Sequence, residues 1–171
     1  MQLEEIVKGI QPTDQKWIAH ARERTAQLVM PTRALGKLHD ISERLCGIQR
    51  TLQPIIERKA VLVMAGVHGI GTVGESPYPQ DGAGAMVQTF LAGGAGINAI
   101  ARHVAAEVFV VDMGINAELN ELELPGSDHL ITHKIATGTA DFTQGPAMSA
   151  LEAEQSILLG FQEATKLYQS G

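Results

Sequence analysis

Residues 60–90 read AVLVMAGVHGIGTVGESPYPQDGAGAMVQTF, and the order of residue types in this stretch decides the fold. Ala60-Val61-Leu62-Val63-Met64 has no polar alternation, the pattern of a strand covered on both faces in a parallel sheet. Gly66-Val67-His68-Gly69-Ile70-Gly71 then offers backbone rather than side chain, at the place where open parallel sheets bind ligands. A rigid turn, Ser76-Pro77-Tyr78-Pro79-Gln80, follows, and a helix begins near Gly84.

Toward the C-terminus, Gly84 to His103 carries Val87, Phe90, Leu91, Ile97 and Ile100 at helical spacing. One helix is predicted, weakened by Gly93, Gly94 and Gly96, which point to close backbone packing. Glu107-Val108-Phe109-Val110-Val111-Asp112 is a second buried strand ending in an acid. Strand, helix, strand is one right-handed crossover unit, so the class is α/β with a parallel, Rossmann-like core. Residues 114–145 read as mostly irregular, with Pro125-Gly126 as a turn and Leu130 to Ile135 as a candidate short strand. Ser149-Ala150-Leu151-Glu152 is a capping box that starts a last helix ending near Tyr168. Two firm strands are fewer than a stable sheet needs. The rest come from another chain or from the irregular segment, or the sequence is part of a larger α/β protein. The unpaired sheet edge and an apolar helix face predict self-association, as a dimer.

Toward the N-terminus, Leu3 to Ile10 reads as a short helix closed by Gln11-Pro12. Thr13 is expected to cap a helix over Asp14 to Val29, with Trp17, Ala21 and Leu28 on one stripe and Pro31 as its stop. Leu38, Ile41, Leu45, Ile48 and Leu52 alternate spacings of three and four, an apolar seam on a third helix that Pro54 ends or kinks nearby. Residues 1–57 are therefore expected to form a small helical lobe, and 58–171 the α/β core.

Composition narrows the function. A chain of 171 residues with 44% hydrophobic content suits one compact domain burying about 70% of its unfolded surface. The net charge of −6 and the absence of a dense Lys/Arg block argue against a nucleic-acid footprint. Cys46 is the single cysteine, the start MQLEEIVKG carries acids, and no window reaches membrane-span length, so a cytoplasmic protein without a membrane segment is expected.

The central loop is open to two readings at each position. His68 is either a loop histidine bonded to neighbouring backbone or a ligand contact. Residues 76–80 are either a surface turn or, through their aromatic face, hydroxyl and amide, part of a pocket for a flat heterocycle. The spacing is not G-x-G-x-x-G, and Asp112 lies too far on to be the matching ribose acid, so a dinucleotide fingerprint is rejected. Asp112 is a structural turn acid or a group for a ribose hydroxyl. His129 and His133 lack the glutamate of a helical zinc motif, and no metal site is expected. Glu118, Glu121 and Glu123 read as solvated loop acids, and Cys46 as an inert thiol.

Taken together, the motifs resemble the N-terminal portion of the nicotinate-nucleotide:dimethylbenzimidazole phosphoribosyltransferase family. The matching segments are Ala65-Gly66-Val67-His68-Gly69, Ser76-Pro77-Tyr78-Pro79-Gln80, Met86-Val87 with Phe90, and Gly93-Gly94-Ala95-Gly96-Ile97-Asn98. Val110-Val111-Asp112-Met113-Gly114, Lys134-Ile135, Gly138-Thr139, Pro146-Ala147-Met148-Ser149 and Leu35-Gly36-Lys37-Leu38 extend the resemblance from about Pro31 onward. It implies transfer of phosphoribosyl from nicotinate mononucleotide to 5,6-dimethylbenzimidazole, in the nucleotide-loop pathway of cobalamin, with no metal or other cofactor. The implied substrate-binding residues are Ser76, Tyr78, Gln80 and Met86, with Gly66, His68 and Gly69 of the loop. The family's glutamate base and glycine-rich phosphate segment belong to its C-terminal half and map onto no residue here.

Three departures accompany the matches. Val67 stands where the family has a loop aspartate, Gly82-Ala83-Gly84-Ala85 replaces a Val-Thr-x-Gln segment, and Ala140-Asp141 replaces Arg-Asn. The implied function is thus an enzyme whose activity needs a complementary half, inactive as an isolated chain. The alternative is a non-catalytic binding or assembly module derived from the family.

Overall fold

A computed structural model describes residues 2–74, 82–119 and 125–170. Glu4–Glu57 forms one compact unit, and Arg58–Gly171 with Met1–Leu3 forms another.

In the first unit, α1 (Leu3–Gly9) is followed by α2 (Gln15–Ala26) and α3 (Lys37–Gln49). Asp14, not the expected Thr13, caps α2: its carboxylate accepts from the Lys16 and Trp17 amides at 3.0 and 3.4 Å. α2 stops three residues short of Val29, and Leu28 is exposed. Ile18 and Ala21 of α2 pack on α3, where a Cβ at Gly47 would lie 2.7 Å from Ile18 Cγ1, so glycine permits the close approach. The seam on α3 turns the other way. Leu38, Ile41 and Ile48 are exposed, while His39, Glu43, Cys46 and Gly47 form the buried face. Buried Glu43 is stabilised there by Arg22 Nε at 2.8 Å and Arg33 Nη1 at 3.4 Å.

The second unit is α/β. β1 (Lys59–Gly66), β2 (Ala106–Gly114) and β3 (Leu130–Thr132) form a parallel sheet in the order β1-β2-β3. The third strand is the candidate short strand of residues 130–135, shortened to its first three residues. β2 is the buried strand; β1 has α-helix against both faces, as expected, and is half exposed because among the described residues it has a neighbouring strand along one edge only. The predicted single helix over 84–103 is two, α4 (Gly82–Leu91) and α5 (Gly96–His103). Gly93, at φ +76°, ends the first, and Asn98 fixes the break by accepting from Ala95 N at 3.2 Å and donating to Phe90 O at 2.9 Å. These glycines serve the turn more than packing, since a Cβ at Gly96 would meet open space.

Val87 and Phe90 of α4 join Val63, Ala65, Val110, Ile115 and Leu130 in the core on one side of the sheet. Side chains alternate along a strand, so Met64 points to the other side, where its Cε lies 3.8 Å from the Cβ position of Gly160 in α6 (Ala150–Gln169). The capping box of α6 forms as expected: Ser149 Oγ accepts from Glu152 N at 3.2 Å, and Glu152 accepts from Ser149 N at 2.6 Å.

Candidate functional site

β1 and β2 end side by side, Gly66 opposite Gly114, with a register shift at Ala65/Gly66. Asp112 makes that ending. Its side chain is 2% exposed, and it accepts from the amides of Gly114 and Ile115 at 3.0 and 2.9 Å. Lys134 Nζ lies 3.4 Å from its other oxygen. Of the two readings of this acid, the structure shows the turn acid. Beyond it the chain is stitched across: Val67 donates to Gly114 O and accepts from Thr139 N, both at 3.0 Å. Glycines make room for this layer. A Cβ at Gly69 would lie 2.5 Å from the Ala140 carbonyl carbon, and one at Gly114 would lie 2.6 Å from Ala136 O.

The result is a cavity of about 680 Å³ at the carboxyl ends of β1 and β2, within the size range of small-molecule sites. Met64, Gly66 and His68 line it from the β1 end and Met113 from β2. Ile135, Thr139 and Met148 come from the following loop, and Ser149, Glu152 and Ser156 from the start of α6. Among the described residues, no lysine or arginine lines the cavity. Three thioethers and an isoleucine suit an uncharged, flat, polarisable ring, while the hydroxyls of Thr139, Ser149 and Ser156 already donate to Ala140 O, the Glu152 carboxylate and Glu152 O. Hydrogen bonds from the Ser149 backbone and hydroxyl hold the Glu152 carboxyl below its ordinary range. That carboxylate is occupied with capping.

Of the residues singled out from sequence, Gly66 and His68 line the cavity. Gly69 lies under the 139–141 loop, its amide donating to Thr139 Oγ1 at 3.4 Å. Met86 is 48% exposed on α4 and is not a lining residue. Ser76, Tyr78 and Gln80, like Glu121 and Glu123, lie outside the described residues. Met64, Glu152 and Ser156 had no site role from sequence and stood in no family motif. Met113, Ile135, Thr139, Met148 and Ser149 stood in the family motifs without one, and that was the available signal. Val67 packs toward Gly138 rather than lining the cavity. Among the described residues no group of three or more His, Cys, Asp or Glu is placed to hold a metal. His129 stacks on Phe109 and bonds Val108 O through Nδ1 at 3.0 Å. His133 lies 3.6 Å from Glu163, and Cys46 is buried. No helix among the described residues is long and apolar enough to cross a membrane.

Residues 10–171 match the family described as Phosphoribosyltransferase. The nicotinate-nucleotide–dimethylbenzimidazole phosphoribosyltransferase of Chloroflexus aggregans is 41% identical over 169 residues, 99% of this chain and 46% of that protein. The same-named protein of Desulfotalea psychrophila is 39% identical over 165 residues, 96% of this chain and 46% of its own length. The chain belongs to the nicotinate-nucleotide–dimethylbenzimidazole phosphoribosyltransferase family. The crystal structure of a family member from Thermus thermophilus superposes with a TM-score of 0.83 at 40% identity, over 92% of this chain and 46% of that one. This family chain, matching the N-terminal portion, thus spans about half the length of the relatives it matches.

Proposed function

We propose that this chain supplies the N-terminal half of a phosphoribosyltransferase of cobalamin biosynthesis, acting on nicotinate mononucleotide and 5,6-dimethylbenzimidazole. In the reaction a benzimidazole nitrogen attacks the anomeric carbon. The bond from that carbon to the nicotinate nitrogen breaks, and nicotinate leaves with the electron pair. The proton lost from the benzimidazole passes to a general base. No residue of this chain is assigned that role; it falls to the complementary half, and the isolated chain is inactive. The products are α-ribazole phosphate and nicotinate.

One observation carries the reading: the family's matching segments, Ala65-Gly66, His68, Gly138-Thr139 and Pro146 to Ser149, converge on one apolar cavity at the strand ends. In this role Gly66 keeps the approach to the ring open, and Gly69 lets the 139–141 loop close behind it. His68, with Ser76, Tyr78 and Gln80, contacts the substrate; Met86, outside the cavity, is given no contact. A cytoplasmic setting accords with a single, buried cysteine.

Calorimetric titration with 5,6-dimethylbenzimidazole, repeated with nicotinate mononucleotide and chromatography of products, tests it. Saturable base binding without turnover is expected, and absence of binding sinks the site assignment. A second reading, a non-catalytic binding module, is favoured by Ala85 and Val67 where the family carries polar groups. Turnover after addition of the complementary half would eliminate it.

A further inference from the structure

The cavity wall has little to offer an anion. A glycine-rich loop at strand ends often cradles one with its backbone amides, but here those amides are engaged within the protein. Gly69 donates to Thr139 Oγ1, Gly114 to Asp112 Oδ1, Thr139 to Val67 O and Ala140 to Ala147 O. The hydroxyls of Thr139, Ser149 and Ser156 donate to Ala140 O, Glu152 Oε2 and Glu152 O at 3.2, 2.8 and 2.8 Å. His68, the other polar lining side chain, is not without a partner. Lys134, which follows β3, is committed to Asp112 Oδ2 at 3.4 Å and Ala117 O at 2.9 Å.

Into this donor-poor space the protein places one carboxylate. Both capping bonds to Glu152, at 2.6 and 2.8 Å, go to Oε2, so capping leaves Oε1 for the cavity that the residue lines. The same bonds hold the carboxyl below its ordinary range and keep it ionised. The positive end of α6 would otherwise attract an anion, and Glu152 occupies that place. A cavity of about 680 Å³ is roughly 11 Å across, so a second carboxylate inside it lies within about one Debye length of Glu152. We propose that Glu152 is the charge filter of the cavity, a specificity-determining residue that admits neutral aromatic rings and rejects rings bearing a carboxylate. This rests on the reading of the cavity as the site of the aromatic base. Under that reading the entering base is neutral, whereas nicotinate carries a carboxylate both as leaving group and as the ring of its mononucleotide. The filter reserves the cavity for the base and keeps the released product from competing for it.

The test titrates the chain with benzimidazole-5-carboxamide and benzimidazole-5-carboxylate, which differ in charge and barely in shape, while isotope-labelled methionine methyls report where each binds. Titrations are run at about pH 8.5, above the ordinary imidazole range. The amide is expected to bind at least about tenfold more tightly than the acid, from like-charge repulsion at a separation of about 8 Å. Its binding should shift the methyls of Met64, Met113 and Met148, which line the cavity, and not that of Met86. Glu152→Gln keeps a capping-box side chain and removes the charge, so the preference should fall below about threefold. Salt supplies a readout that a capping role alone would not move. Raising it from about 0.01 to 1 M shortens the Debye length from about 30 to 3 Å, which should shrink the preference in the parent and leave it unchanged in the variant. The salt series on the parent decides the matter even where the variant does not fold. Equal binding of amide and acid to the parent overturns the filter and leaves the base site standing, as does an unchanged preference in Glu152→Gln. Failure of both compounds to shift the three cavity methyls overturns the base-site reading and the filter with it.

Discussion

At the scale of single residues, the family motifs sort into positions that fold the loop and positions that face the cavity. Gly138 has φ +80°, and a Cβ there would lie 2.7 Å from Val67 Cγ2 and 3.1 Å from Val67 O. Gly138→Ala is expected to destabilise the protein by about 1–3 kcal/mol. Gly96→Ala, at a helical position facing open space, should stabilise it by about 0.4–1 kcal/mol. Urea unfolding of the two variants checks both signs. Asp112 gives a second comparison. Asn keeps an oxygen for the Gly114 and Ile115 amides but loses the charge facing Lys134, whereas Ala loses both. Asp112→Ala should therefore cost about 1–2 kcal/mol more than Asp112→Asn in the same measurement. Equal costs would show that the charge alone matters.

At the scale of elements, the start of α6 couples helix stability to pH. Ser149 bonds lower the Glu152 carboxyl from its ordinary value of 4.5. A group depressed on folding stabilises above its unfolded value, and that contribution is lost as pH falls through the lower folded value. Ser149→Ala is expected to cost about 1 kcal/mol at pH 7, and the gap from the parent should narrow below pH 4.5, as urea midpoints across that range would show. The elements also differ in how far their sequences disclose them. β1 and β2 are legible as unbroken apolar runs, and α6 through its capping box. The split between α4 and α5 is not, because apolar spacing resumes after Gly93 and the Asn98 bonds that fix the break involve backbone three and eight residues back. The α3 seam is legible as a seam but not in its direction, since a buried Glu43 with two arginine partners holds the polar face inward. Met64, Met113 and Ser156 meet at the cavity only through the parallel topology, which no local pattern encodes.

At the scale of the whole molecule, two helices in separate units turn apolar residues outward: Leu38, Ile41 and Ile48 on α3, and Ile157, Phe161 and Tyr168 on α6. Exposed stripes of this kind seek cover. We predict that the isolated chain self-associates, giving a light-scattering mass above 18.3 kDa that falls toward this value with Leu38→Glu and Ile41→Glu. A monodisperse monomer of the parent chain would refute the prediction.

The β1–β2 ladder also sets a schedule for synthesis. Lys59 pairs with Ala106 and Met64 with Val111, so every rung of this ladder waits for the whole α4–α5 crossover to exist. Long-range parallel pairings of this kind form slowly, since the loop must close before any contact rewards it. At ribosomal speeds of about 5–20 residues per second, β1 leaves the tunnel roughly 2–10 s before its first partner. For that interval its apolar run is a natural ligand for holdase chaperones, and slowing translation across the crossover should lengthen their residence on the nascent chain.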